Sequence, residues 1–164
     1  MPHSPPNLSF LPLTYHTIDR LAGLTLAAQK SHLIQPLTKT IPQSLVSEET
    51  QAFGVFKDAT PVGLIALEDA RVMDHLNDTP IADCLLIWQI MVDARHERQG
   101  HGTAMVSFAK SYATLVGLDG LALATLDATE HTPLPFYEKL GFSPTGRRIQ
   151  DGADDLIELV WRPA

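Results

Sequence analysis

The chain has 164 residues, 45% of them hydrophobic and 19% charged, with a formal net charge of −7 and one cysteine. That length suits one domain with a continuous core needing neither metal nor crosslink, and the composition excludes a disordered chain. The acidic balance argues against a nucleic-acid surface, which needs a basic stripe, and Cys84 alone makes no intramolecular disulfide. The longest apolar run, Leu85 to Val92, falls far short of the roughly 20 residues of a membrane span, so no membrane partner is expected. Met1 to Pro6 has no cationic segment leading into an apolar one, and a cytoplasmic location is expected.

In chain order, Leu8 to Leu13 alternates weakly and reads as an edge strand, since Pro12 fits poorly in a central one. From Thr17, taken as N-cap, apolar or small residues at Ile18, Leu21, Ala22, Thr25 and Ala28 recur at helical spacing. Gln29 to Pro42 is a polar, proline-punctuated stretch on the substrate side, and Ser44 or Ser47 opens a short helix to Gln51. Phe53 to Phe56 and Val62 to Leu67 are strands joined by a turn over Lys57 to Pro61. Glu68 to Asp83 reads as a long loop before a central buried strand, Leu85 to Val92.

Beyond Gly102, the residues Met105, Phe108, Ala109, Tyr112, Ala113 and Val116 share one helical face, and Gly117 ends that helix. Gly120 to Leu126 is a second buried strand, parallel to the first because a helix connects them. Leu134 to Leu140 predicts a short helix stopped at Gly141. Two closing strands then bracket Gln150 to Asp154 and end at Trp161. The class is α+β with a mixed sheet, in one domain over residues 1–164.

The most informative segment is the turn from Asp93 to Thr103, between the central strand and the amphipathic helix. A loop feeding a helix start offers unpaired backbone N–H groups and the positive end of the helix dipole, both suited to a pyrophosphate. Glycines at Gly100 and Gly102 let the backbone approach closely, and Arg95, His96, Arg98 and His101 make a local basic cluster. A Gly-x-Gly alone supports only a strand-to-helix turn. It is neither a Walker A loop, lacking Gly-Lys-Ser/Thr, nor the dinucleotide fingerprint, lacking a glycine three residues past Gly102. His96 and His101 have no further ligand at zinc spacing, so no metal is expected. Cys84, at the head of an apolar strand, reads as a core residue.

Glu97-Arg98-Gln99-Gly100-His101-Gly102 resembles the cofactor motif of the GNAT superfamily of N-acetyltransferases. Phe136-Tyr137-Glu138-Lys139-Leu140-Gly141-Phe142 resembles that family's second signature. The resemblance is specific from Leu85 to Phe142. It implies a mostly antiparallel mixed sheet with a splayed central parallel pair and about four flanking helices. It also implies acetyl-CoA as co-substrate. Arg98, Gln99, Gly100, His101, Gly102 and Thr103 would hold the pyrophosphate, and the backbone of Met91 and Val92, beside a bulge at Ile90 to Val92, would hold the pantetheine and acetyl carbonyl.

Glu97 stands where the family usually has Gln or Arg, and Glu130 or His131 where many members have Asn. Gln29-Lys30, the Ser44-Leu45 helix start, Trp88 to Asp93, and Phe142 to Gly146 leading into an acidic hairpin echo the polyamine acetyltransferase-like members.

By the same resemblance, a neutral primary amine attacks the thioester directly and Tyr137 protonates the departing thiolate. The acceptor implied is a small amine such as a polyamine or an amino-acid-like molecule. Protein N-acetylation and non-catalytic acyl-CoA sensing are the alternatives. Glu48, Glu49, Glu68 and Asp83 are carboxylates that border an amine site in such a fold, and no base is singled out among them. Family members are often dimers, and the sequence leaves a homodimer open.

Overall fold

A computed structural model describes residues 7–27, 34–127 and 132–164. Its strands are β1 (Leu8–Pro12), β2 (Thr50–Lys57), β3 (Thr60–Asp69), β4 (Leu85–Val92), β5 (Leu121–Leu126), β6 (Ser143–Asp151) and β7 (Asp154–Trp161). The helices are α1 (Tyr15–Leu21), α2 (Leu37–Val46), α3 (His101–Leu115) and α4 (Leu134–Lys139). The strands form one sheet in the order β1-β2-β3-β4-β5-β7-β6. β1 lies at an edge, where Pro12 deprives no inner ladder of a donor. β5 and β7 are antiparallel from Leu121↔Trp161 to Leu126↔Leu156. β4 and β5 are parallel, in register only at Leu85↔Leu121 and Leu86↔Ala122 among the described residues. This is the mixed, mostly antiparallel architecture that the resemblance implies.

By contacts the chain groups into two compact units, one of Met1–Leu67 with Gln89–Phe108, the other of Glu68–Trp88 with Ala109–Ala164. The boundaries fall within β3, β4 and α3, so each unit holds part of all three elements. In the first unit, Phe108 stacks on Phe10 with ring centroids 4.0 Å apart and meets Phe53 edge-on at 5.1 Å. In the second, Ala70, Leu76, Ile81, Cys84 and Ala122 form a buried cluster with Met73, Leu86 and Val160 against it.

Three local expectations change. Thr14, not Thr17, caps α1: Thr17 N–H donates to Thr14 Oγ1 at 3.3 Å and Thr14 N–H to Thr17 Oγ1 at 2.7 Å, a reciprocal capping box. The helix stops at Leu21, well before Thr25, because the Thr25 backbone N–H is drawn to Asp93 instead.

The helix expected from Ser44 is α2, beginning at Leu37 and carrying Pro42 inside it. A proline there removes one backbone bond. Burial compensates: Thr40 is wholly buried and donates to Gln89 Oε1 at 2.7 Å, while Gln89 Nε2 donates to the Gln35 carbonyl at 2.9 Å. A buried polar network of this kind fixes a helix in place where propensity alone would not.

The segment read as a loop from Glu68 is packed. β3 runs to Asp69, two short 3-10 turns follow, and Arg162 pins the end through the Pro80 carbonyl and Asp83, both at 2.8 Å.

Candidate active site

β4 alternates buried and half-buried residues up to Val92 and delivers Asp93, which has no exposure, to the start of the turn. The Asp93 carboxylate accepts from the Thr25 backbone N–H at 2.9 Å, Arg95 Nε at 3.0 Å, Arg95 Nη2 at 3.1 Å and His96 Nδ1 at 2.8 Å. Burial alone would raise its pKa. The hydrogen bonds from Arg95, Thr25 and His96 outweigh it and hold the carboxyl well below the usual range. Asp93 is therefore ionised, and it ties together the end of α1, the short 3-10 turn Ala94–His96 and β4. The sequence reading missed this residue. Its signal was a lone acid at the end of an apolar strand, next to cations.

The turn then bends through Arg98 at φ 59° and Gly100 at φ 81°. A left-handed conformation costs a non-glycine residue roughly 1–2 kcal/mol, and such strain persists where surroundings enforce it. Arg98, Gln99 and Gly100 are exposed. Ala104 N–H makes the first backbone bond of α3, to Gly100 O at 3.1 Å. The N–H groups of His101, Gly102 and Thr103 precede it and lack an intrahelical acceptor. They are backbone donors at the head of a 15-residue helix, a geometry that suits an anion.

The basic cluster is less cationic than its sequence suggests. Arg95 and His96 are committed to Asp93. His101 is 1% exposed, and neither ring nitrogen is hydrogen-bonded to a described residue. Burial, then Lys57 and His96, lowers its pKa, so the imidazole is neutral at physiological pH. What His101 offers the turn is its backbone N–H.

Met91 is buried, and β3 passes so close that a Cβ on Gly63 would strike the Met91 carbonyl oxygen and Met105 Cε. Gly63 thus sets how closely β3 approaches the end of β4. Val92 is half-buried.

In the second unit, α4 holds Tyr137, 6% exposed, with Phe136 and Phe142 at ring centroid distances of 5.0 and 5.6 Å. Burial raises its pKa, so the phenol stays protonated. Gly141, at φ 91°, terminates the segment. Asp83, one of the bordering carboxylates, is paired with Arg162. Cys84 is fully buried and its thiol is pushed up to about 11, first by burial, which leaves it an inert core residue. Gln29, Lys30, Glu130 and His131 lie outside the described residues. Among those described, no cluster of His, Cys, Asp or Glu could hold a metal ion, and no helix is long and apolar enough to cross a membrane.

The chain thus combines a mixed sheet that has a briefly registered parallel pair with a strand–turn–helix that presents backbone amides at the end of β4. Residues 20–142 match the model of the Acetyltransferase (GNAT) family, and the chain belongs to that family. An uncharacterized N-acetyltransferase of Bacillus licheniformis is 36% identical over 84 residues, which is 50% of this chain and 45% of that protein. The chain is thus matched over about half the length of this relative. Among solved structures, a GNAT family acetyltransferase from Elizabethkingia anophelis with acetyl-CoA bound has a TM-score of 0.63 at 18% identity, covering 96% of this chain and 99% of the other. A variant of the spermidine N-acetyltransferase of Vibrio cholerae has a TM-score of 0.68 at 14% identity, covering 94% and 93%. At these identities the two structures establish the shared fold.

Proposed function

We propose that the protein is an acetyl-CoA-dependent N-acetyltransferase acting on a small primary amine, either a polyamine or an amino-acid-like molecule. The observation that carries this reading is the turn at Arg98 to Thr103, whose free amides and left-handed backbone suit the pyrophosphate of CoA. Arg98, Gln99, Gly100, His101, Gly102 and Thr103 supply the seat, with the His101 contribution coming from its backbone. Met91 and Val92 offer backbone groups to the pantetheine and the acetyl carbonyl.

The amine nitrogen, unprotonated, attacks the thioester carbon. The N–C bond forms, the C–S bond breaks, and the proton lost from nitrogen is balanced by one gained at sulfur. Tyr137 is the group we assign to that second transfer. Its raised pKa keeps the proton in place across the neutral range, so the hydroxyl has one to donate. Donation to a thiolate, whose conjugate acid lies near 8.5, is uphill. The phenolate must therefore recover its proton promptly from the ammonium formed on attack.

Thiol release from acetyl-CoA across a panel of polyamines, amino acids and arylamines tests the reading. No release with any of them removes it. Tyr137→Phe should lower turnover by about tenfold or more while CoA affinity stays within twofold. Equal turnover in the two proteins would remove Tyr137 from the chemistry. Gly102→Leu should abolish CoA binding, measured by calorimetry.

A further inference from the structure

The second unit contains a polar cluster that the transfer chemistry does not use. Glu158, 1% exposed, sits mid-strand in β7 opposite Ala124 of β5. On its other side the register with β6 jumps: Pro144 pairs with Leu159 and Arg148 with Ile157, so Thr145, Gly146 and Arg147 all stand opposite Glu158. Gly146, at φ 91°, makes this bulge possible. Such a bulge re-aims side chains, and here both flanking residues converge on one carboxylate. Thr145 Oγ1 donates to Glu158 Oε1 at 2.8 Å, and Arg147 Nη1 donates to Oε2 at 3.1 Å and to Oε1 at 3.4 Å.

Among the described residues, Arg147 is held by one nitrogen only. Its Nε and Nη2 have no partner among the described residues, and its side chain is 36% exposed. Those two atoms form the edge of the guanidinium that grips a carboxylate with two parallel hydrogen bonds. The neighbouring floor is open as well. Ala124 is exposed although it lies in an inner strand, two residues past Ala122, the last β5 residue in register with β4. A small side chain at this rung leaves room beside the cluster.

Given the transferase reading above, on which this step rests, we infer that Arg147 recognises a carboxylate on the acceptor. The substrate class is thereby an amino acid or a similar amine bearing an acid group, not a polyamine. Glu158 and Thr145 are positioning residues: they neutralise and orient the guanidinium while leaving its Nε–Nη2 edge for the ligand. Glu158 itself is poorly placed to bind a cationic amine, because its oxygens are already satisfied by Thr145 and Arg147.

Matched acceptors that differ only in the carboxylate test this: lysine against 1,5-diaminopentane, and alanine against ethylamine. In the wild type, kcat/KM should favour the carboxylated member by about tenfold or more, since a polar site discriminates against an analogue lacking its partner. Arg147→Gln should collapse that ratio toward one through a rise in acceptor KM. Arg147→Lys should collapse it nearly as far, because the charge remains but the fork is gone, and it carries the comparison if Arg147→Gln fails to fold. A wild type that uses the decarboxylated amines equally or better overturns the inference, as does a ratio unchanged in both variants. Absence of thiol release with every amine is a different result, which overturns the transferase reading itself.

Discussion

Asp93 and Glu158 are both carboxylates with almost no exposure, each held by an arginine of its own unit, yet they are built for different ends. Asp93 is saturated. Both its oxygens are engaged by side-chain and backbone donors from two chain segments, and its arginine reaches on to the Gly23 carbonyl at 2.9 Å. Glu158 is held by fewer donors, and among the described residues its arginine keeps an edge unused. A saturated buried charge fixes the backbone around it, while an arginine with a free edge beside an open strand position can recognise something else. The same chemical pair thus serves as a clamp at the end of β4 and, as we infer, as a receptor where the β6 bulge faces β7.

The largest expected effect comes from breaking the clamp. Asp93→Asn should destabilise the protein by about 3 kcal/mol, since the backbone N–H groups of Thr25 and Arg95 and the His96 ring all lose a charged acceptor at once. CoA affinity should fall with it, because the turn loses its anchor. Urea unfolding and calorimetry would measure both. Glu158→Gln should cost less, about 1–2 kcal/mol, because the donors on Glu158 are the side chains of Thr145 and Arg147, which can turn to other partners, whereas Asp93 also holds backbone N–H groups that cannot. A larger loss at Glu158 than at Asp93 would invert the comparison.

A smaller effect should come from His101. Two buried ring nitrogens without partners are a liability, so His101→Leu should stabilise by about 1–2 kcal/mol while leaving the backbone donor in place. No gain in melting temperature would mean that the imidazole is satisfied after all.

The pH dependence separates these groups. The His101 folded pKa is below its unfolded value near 6.5, so its neutral form is favoured in the fold. Stability should therefore decline as pH falls through the unfolded value, and His101→Leu should flatten the melting temperature between pH 7.5 and 5.5. Asp93 is depressed relative to an unfolded value near 3.9, so its contribution is present above that value and is lost only below it, as pH falls toward the folded pKa. Asp93→Asn should leave the slope between pH 7.5 and 5.5 unchanged.

Much of the frame was legible in the sequence because local rules govern it. The apolar alternation of Leu85 to Val92, the glycines of the turn and the helical stripe from Met105 to Val116 each announce their element, and Gly117 and Gly141 end theirs at positive φ. The anion seat follows from that order, since a helix start leaves its first amides free wherever it occurs. Helix α2 was not legible. Pro36 and Pro42 argue against it locally, and only the burial of Thr40 against Gln89 reverses the balance.

The side-chain partnerships were likewise invisible. Asp93 and Thr25 are 68 positions apart, and Arg147 meets Glu158 only because a bulge faces several residues toward one. His101 looked like a cation beside other cations until burial made it neutral. The sequence alone determined most of the elements and their order, α2 excepted, because periodicity and glycine placement act within a few residues. Tertiary structure decided which charges are clamped, neutral or open, because desolvation and hydrogen bonding depend on neighbours far away along the chain.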